Sequence, residues 1–272
     1  GGYVALGGKL AVLWQPFEVV IICGSAIGAY IVANPKTVLL ATLREIKVNF
    51  KGAKYDKQAY LELLSMLYAV FRQAKTKGWL SLEQHIENPH ESELFQQIPI
   101  FYSEHHAVTF LCDYLRIISM GSDNSFEIEA LMDEELETHH AEQHQVSGGM
   151  QTMADGLPAL GIVAAVLGVI KTMGSITEPP EVLGKLIGGA LVGTFLGVWV
   201  AYGFVGPLAA SLKLRHEAES KYYQAIKIAL LANLQGYAPA LSVEFARKTL
   251  FSDVRPSFAE VEEATSAVAT PA

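Results

Sequence analysis

Apolar residues gather into three long runs, and the stretches between them carry a shorter, helical period. The first run follows Trp14, Gln15 and Pro16 and covers 17–33, with Glu18 at its edge. At about 17 residues it can cross roughly 30 Å of hydrocarbon if its ends snorkel. The second covers 157–173, with Lys171 near its far end, where the ammonium reaches headgroups. The third has nothing charged between Lys185 and Lys213. Only the stretch around 175–181, with Pro179-Pro180, separates these two, so they are predicted to form a helical hairpin.

The polar stretches read as helices as well. YLELLSMLYAVFRQA at 60–74 places its apolar residues on one helical face, and 102–120 repeats the pattern. Gly78 and Asn88-Pro89 punctuate between them, and Ser81 is a predicted helix start. The turn Asn124-Ser125-Phe126-Glu127 opens a helix over 126–140. An amphipathic helix over 217–232 extends the third span, and the polar tail after Pro256 is expected to fray. The fold class is all-α: a polytopic helical membrane protein with a helical cytoplasmic domain. The expected division is 1–15, the end of a truncated first span and a periplasmic loop; 16–34, a span; 35–155, cytoplasmic; 156–212, the hairpin; and 213–272, a cytoplasmic extension and tail.

Charge sets the orientation. Lys36, Arg44, Lys47, Lys51, Lys54 and Lys57 follow the first run, and Lys213, Arg215 and Lys221 follow the third, whereas no Lys or Arg lies between Lys171 and Lys185. The positive-inside rule therefore places 36–155 and the C-terminal tail in the cytoplasm. Three spans would leave Gly1 outside, so either the chain inserts with its N-terminus out or a further span lies upstream, and the second is the expectation. Composition agrees: of 272 residues 51% are hydrophobic and 18% charged, and mean hydropathy is +0.27. A net charge of −8 speaks against a nucleic-acid partner. Cys23 and Cys112 alone make no disulfide framework.

The chemistry of the spans is sparse. Gly184, Gly188, Gly189, Gly193 and Gly197 allow close helix contact, either within the chain or between subunits. Gly24 and Gly28 form a shorter version, expected to be simple packing. Ser25 and Thr194 are the main polar groups at bilayer depth, and each hydroxyl is expected to bond back to the carbonyl one turn earlier. No Asp, Glu or His lies mid-span, so a proton carrier would have to come from a partner. Pro158, after Asp155-Gly156-Leu157, fits an ordinary capped helix start. Pro207 is predicted to kink or hinge a continuous helix.

Elsewhere, Lys75, Lys77 and Glu83 form a mixed-sign corner near a surface tip. The acidic stretch with Glu127, Glu129, Asp133, Glu134, Glu135 and Glu137 could dock to a basic partner or pair with the segment 36–57. His139, His140 and His144 lack the further ligands of a metal site, so no metal is expected. No phosphate-binding loop, nucleophile elbow or zinc-protease motif occurs, and neither enzyme activity nor a cofactor is expected.

Long blocks carry a resemblance: QPFEVVIICGSAIGAYIVAN at 15–34, SLEQHIENPHESELF at 81–95, FEIEALMDEELETH at 126–139, GLPALGIVAAVLGVI at 156–170, LVGTFLGVWVAYGFVGPLA at 191–209, and GYAPALSVEFARKTLF at 236–251 with RPSF after it. The chain resembles flagellar motor stator subunits of the motility protein A type, in the MotA/TolQ/ExbB proton-channel family. The resemblance implies four spans, the first ending in a segment like Gly1-Gly2-Tyr3. It implies conduction of protons across the bacterial inner membrane and conversion of that flow into torque. The implied partners are a single-span, peptidoglycan-binding B subunit whose aspartate carries the ion, the rotor switch protein FliG, and further copies of the chain, as a pentamer around a B-subunit dimer.

The resemblance also assigns residues. Thr194 would line the ion path, and Ala165, where sodium-driven relatives have threonine, implies protons. Pro158 and Pro207 would couple channel state to the cytoplasmic domain. Lys75, an arginine in most of the family, and Glu83 would meet the rotor. Glu135 matches a further sensitive acid whose role could be folding. The nearest rival reading is a TolQ/ExbB-like energiser of outer-membrane transport. A passive helical scaffold is the third.

Overall fold

A computed structural model describes residues 2–50, 52, 54–122 and 124–268; Gly1, Lys51, Ala53, Asp123 and the tail at 269–272 lie outside the described residues. The chain is all-helical, with no strand among the described residues. Three segments are long and apolar enough to cross a membrane: Leu10–Ala33, Ser125–Met173 and Pro180–Leu234.

Helix α1, Pro16–Ala33, starts on a proline whose fixed φ suits the first turn. Asn34 ends it by donating from Nδ2 to the Tyr30 carbonyl at 2.8 Å, and Pro35 prevents continuation. Helix α2 is Lys36–Asn49. Helix α3, Lys57–Lys77, opens on Asp56, which accepts from the Ala59 N–H at 2.9 Å. It closes on Gly78 at φ 81°, a left-handed conformation that suits glycine. A 3-10 turn, Trp79–Leu82, then runs straight into Glu83–Glu87. Ser81 is therefore not a helix start: its hydroxyl donates to the Gly78 carbonyl at 2.7 Å inside a turn that is already helical.

The pattern over 102–120 resolves into Pro99–Ser103 and helix α4, His105–Ser119, parted at Glu104. Helix α5, Ser125–Met173, is continuous for 49 residues. Asn124 opens it by accepting from the Phe126 N–H, but the predicted second start at Asp155-Gly156-Leu157 does not exist. Pro158 lies inside the helix instead. After the loop come α6, Pro180–Val200, a π-turn, Ala201–Val205, and α7, Gly206–Leu234. Helices α8, Pro239–Thr249, and α9, Phe258–Ala267, complete the chain. The tail expected to fray is thus folded over α9. Ser257 and Glu260 cap it reciprocally, and Lys57 pairs with Glu260 at 2.6 Å.

The chain divides into two compact units, Gly1–Gly52 with Glu142–Leu214, and Ala53–Ala141 with Arg215–Ala272. The first takes in α2 and 142–155 along with the spans. Its α5 and α6 approach at backbone distance, since a Cβ on Gly197 would stand 2.7 Å from the Gly161 Cα and the Leu157 carbonyl oxygen. This intrachain contact uses Gly193 and Gly197, while Gly184 and Gly188 face open space. Among the described residues nothing lies within 4 Å of a Cβ built on Gly24 or Gly28 either, so the packing expected of them is not made there. The second unit has one large core, in which Leu63, Leu67 and Phe71 of α3 meet Leu111 and Leu115 of α4 and Tyr222 and Ile226 of α7.

Candidate ion path, proline turns and charged tip

Thr194 on α6 and Ala165 on α5 are both half-buried on the tight pair, and a Cβ on the neighbouring Gly193 would lie 3.1 Å from the Ala165 nitrogen. Thr172 bonds back to the Gly168 carbonyl at 2.9 Å, and Thr42 to that of Val38 at 2.8 Å. Thr194 and Ser25 make no such bond among the described residues, contrary to expectation, so their hydroxyls remain available to something else. Glu18, the acid at the edge of the first apolar run, stands in the first turn of α1, where the helix dipole favours an anion. Its Oε2 is buried without a hydrogen-bond partner among the described residues. An acid just inside a proline-started span was the available signal.

The two prolines belong to neighbouring turns. Pro158 cannot donate to the carbonyl of Ala154, one turn earlier. Pro207 follows the π-turn, in which the Gly206 N–H reaches back to the Ala201 carbonyl. The wider turn absorbs the proline, so α7 continues after it. A Cβ on Gly206 would stand 4.0 Å from the Ala154 Cβ, so the helix turn before one proline neighbours the π-turn before the other.

The mixed-sign tip is built on a buried footing. Lys75 lies in the last turn of α3 and Glu83 begins the next helix; both are exposed, and neither has an ion pair among the described residues. Between them Gln73 donates from Nε2 to the Ser81 carbonyl at 3.0 Å, while Leu82 and Ile86 are buried. His85 Nδ1 lies 2.8 Å from Ser92 Oγ, which caps the short helix Glu93–Gln96. Burial lowers the His85 pKa, with Glu93 opposing that shift.

Glu135 accepts a 2.6 Å hydrogen bond from the Tyr114 hydroxyl, tying α5 to α4. Burial first, and this carboxylate second, raise the Tyr114 pKa. Glu129 and Asp133 on the same acidic stretch pair with Lys227 of α7, not with the segment 36–57. From that segment, Lys54 pairs with Glu104 and Lys57 with Glu260. Among the described residues no group of three or more His, Cys, Asp or Glu could hold a metal ion.

Residues 1–78 match the motility protein A N-terminal model, and 103–225 match that of the MotA/TolQ/ExbB proton channel family. Motility protein A of Escherichia coli is 48% identical over 271 residues, covering 100% of this chain and 92% of that protein. The chain belongs to the motility protein A family. Two solved structures share the fold: C. jejuni MotAB, with TM-score 0.77 and 22% identity over 93% of this chain and 90% of that one, and the flagellar MotAB stator complex from Bacillus subtilis, with TM-score 0.68 and 24% identity over 91% and 88%. A motility protein A fold thus accommodates the features above: a hairpin with a spare threonine hydroxyl, no mid-span acid, paired proline turns and an exposed charged tip.

Proposed function

We propose that this chain is a stator subunit of the bacterial flagellar motor in the inner membrane, conducting protons together with a single-span B subunit. The observation that carries the reading is the close-packed α5/α6 pair, which offers the Thr194 hydroxyl but no carboxylate at bilayer depth. A proton needs a titrating group to cross there, so a partner must bring one. The relatives solved as MotAB complexes support such a partner, and several copies of this chain would surround it, as a pentamer around a B-subunit dimer. Ala165 leaves the path with one hydroxyl fewer, which favours H+ over sodium. Protonation of the partner's carboxylate would change the packing of α5 and α6, and the turns at Pro158 and Pro207 are where that change would bend the chain. Lys75 and Glu83 would then engage complementary charges on FliG, by steering rather than by a bidentate fork, since lysine lacks the planar guanidinium.

Swimming tests the reading. Glu83→Lys should impair motility while membrane insertion and B-subunit co-purification persist, and a charge reversal on the rotor should partly restore it. Normal swimming of the single variant would remove Glu83 from the contact. Co-purification with a partner linked to outer-membrane transport, in place of a peptidoglycan-binding one, would replace the motor reading with an energiser.

A further inference from the structure

Helix α2 is too polar to span and too apolar on its outer side to stand in water. Its inner face is used: Val38 packs with Val146, Met150, Ala209 and Leu212, and Thr42 Oγ1 lies 2.7 Å from the Tyr30 hydroxyl. The opposite face, at 36, 40, 43, 44, 47 and 50, follows helical spacing. Leu40, Leu43 and Phe50 on it are 69%, 61% and 80% exposed. Lys36, Arg44 and Lys47 are exposed between them and make no ion pair among the described residues.

The contacts at its two ends fix how α2 lies against the spans. At one end, the Asn34 side chain stands 3.1 Å from where a Cβ on Gly149 would be. At the other, Asn49 Nδ2 donates to Ser211 Oγ at 3.0 Å. Gly161 packs on Gly193 and Gly197, Gly206 neighbours Ala154, and Met150 clusters with Ala209 and Leu212. In this antiparallel register Gly149 and Ser211 stand at nearly the same height. Both ends of a helix about 21 Å long are therefore held at one level, and α2 lies across the spans rather than along them. That level is just inside Lys213, the first charge after the third span. An amphipathic, basic helix lying in the plane where a span ends is the geometry of an interfacial helix.

Beside its start a cleft of about 320 Å³ opens between α1 and α5, lined by Ala29, Ala33, Asn34, Gly149, Met153 and Leu160 among others. Small residues on both helices leave the space, and Lys36 stands two residues beyond Asn34. We propose that this cleft and the outer face of α2 bind an anionic phospholipid of the cytoplasmic leaflet, with an acyl chain in the cleft and the headgroup against Lys36, Arg44 and Lys47. The negative surface potential of that leaflet complements three unpaired cations, and continuity with α1 puts them at headgroup depth. The site rests on the cytoplasmic placement of 36–50 in the function proposed above.

The test uses the full chain purified with its partner subunit, in nanodiscs holding phosphatidylglycerol and phosphatidylcholine in equal amounts. Native mass spectrometry then counts the lipids retained. Phosphatidylglycerol should be retained preferentially, and K36Q, R44Q and K47Q should each weaken its retention about fivefold. The charge-keeping set K36R, R44K and K47R should retain it, and Ala29→Phe, which fills the cleft, should lose the tightest-held lipid with all charges intact. Unchanged phosphatidylglycerol retention in a correctly assembled triple glutamine variant would overturn the site. So would cross-linking of residue 40 to a second copy of the chain, which would make the face a subunit contact. Lys47→Cys, in a chain with Cys23 and Cys112 changed to serine, separates the two proposals. An impermeant thiol reagent should label it in inverted vesicles, and labelling from the outer side alone would break the placement itself.

Discussion

In the unit built from 53–141 and 215–272, α3 buries Leu63, Leu64, Leu67 and Phe71 completely, each against side chains of other helices. In the unit that holds the spans, the buried clusters are small, one of them Ile22, Ala26, Leu157, Ala164 and Ala201. There Leu191, Phe195, Trp199 and Phe204 stand exposed, and the closest approach is made by glycine backbones. The difference teaches that one composition is serving two solvents. The unit of 53–141 and 215–272 excludes water from a single core, as any water-soluble fold does. The unit that holds the spans cannot gain from moving apolar surface out of lipid, so it is held by contact distance.

Paired truncations give the largest way to break this contrast. Phe71→Ala removes a fully buried ring and should cost about 3–5 kcal/mol. Leu191→Ala removes a similarly apolar but exposed side chain and should change stability by less than about 0.5 kcal/mol. Thermal unfolding of the purified chain reads both, and a comparable loss from Leu191→Ala would show that the span unit has a water-type core after all.

A smaller effect of opposite design tests the span unit. Gly197→Ala adds one methyl, yet its Cβ would lie 2.7 Å from backbone atoms of Gly161 and Leu157, which cannot rotate away. We expect a loss of about 1–3 kcal/mol. Gly184→Ala, with nothing within 4 Å, should leave the isolated chain unaffected. Equal behaviour of the two variants in detergent unfolding would sink the close-packing account. If Gly184→Ala instead weakened only the assembled complex, its open face would be a subunit contact.

What was legible in the sequence follows the same division. Span existence, the Gly78 turn and the exposed placement of Lys75 and Glu83 depend on local pattern, and the pattern was strong. Where a helix fails to stop is not local. Asp155-Gly156-Leu157-Pro158 has the chemistry of a start, but the helix runs unbroken through it and packs on α6 one turn later, at Gly161. The π-turn before Pro207 was invisible as such, because a proline signals a disturbance without saying which backbone adjustment absorbs it. Ser257 and Glu260 do form a legible capping box, and the expectation of fraying gave too much weight to the polar composition around them. Glu18 and the crosswise lie of α2 needed coordinates: the first depends on burial, the second on which residues stand at equal height.

Glu135 sharpens the comparison at about 1 kcal/mol. If its sensitivity reflects folding, Glu135→Gln and Tyr114→Phe should each destabilise the core of α3, α4 and α7 by about that amount, and the double variant should cost little more than either. Additive losses would mean that the 2.6 Å hydrogen bond is not what Glu135 is there for.

The smallest effect concerns the edge of the same unit. The Lys57 ammonium, and then the Ser257 cap, hold the Glu260 carboxyl down to about 2 from an ordinary 4.5. A depressed folded-state pKa means the unfolded state takes up the proton first. The contribution to docking α9 is therefore complete above pH 4.5 and is lost as pH falls toward 2. The pair is solvent-exposed, so the rest of the core should survive the loss. Pepsin, active throughout this window, should cut 258–267 progressively faster as pH falls while leaving 57–77 protected. In Lys57→Gln cutting should already be faster above pH 4.5 and should accelerate less as pH falls, because the main cause of the depressed pKa is gone. Identical digestion profiles would show that α9 is held by Val261 and Thr265 alone, and that the charged edge contributes nothing to a unit whose stability is then entirely in its core.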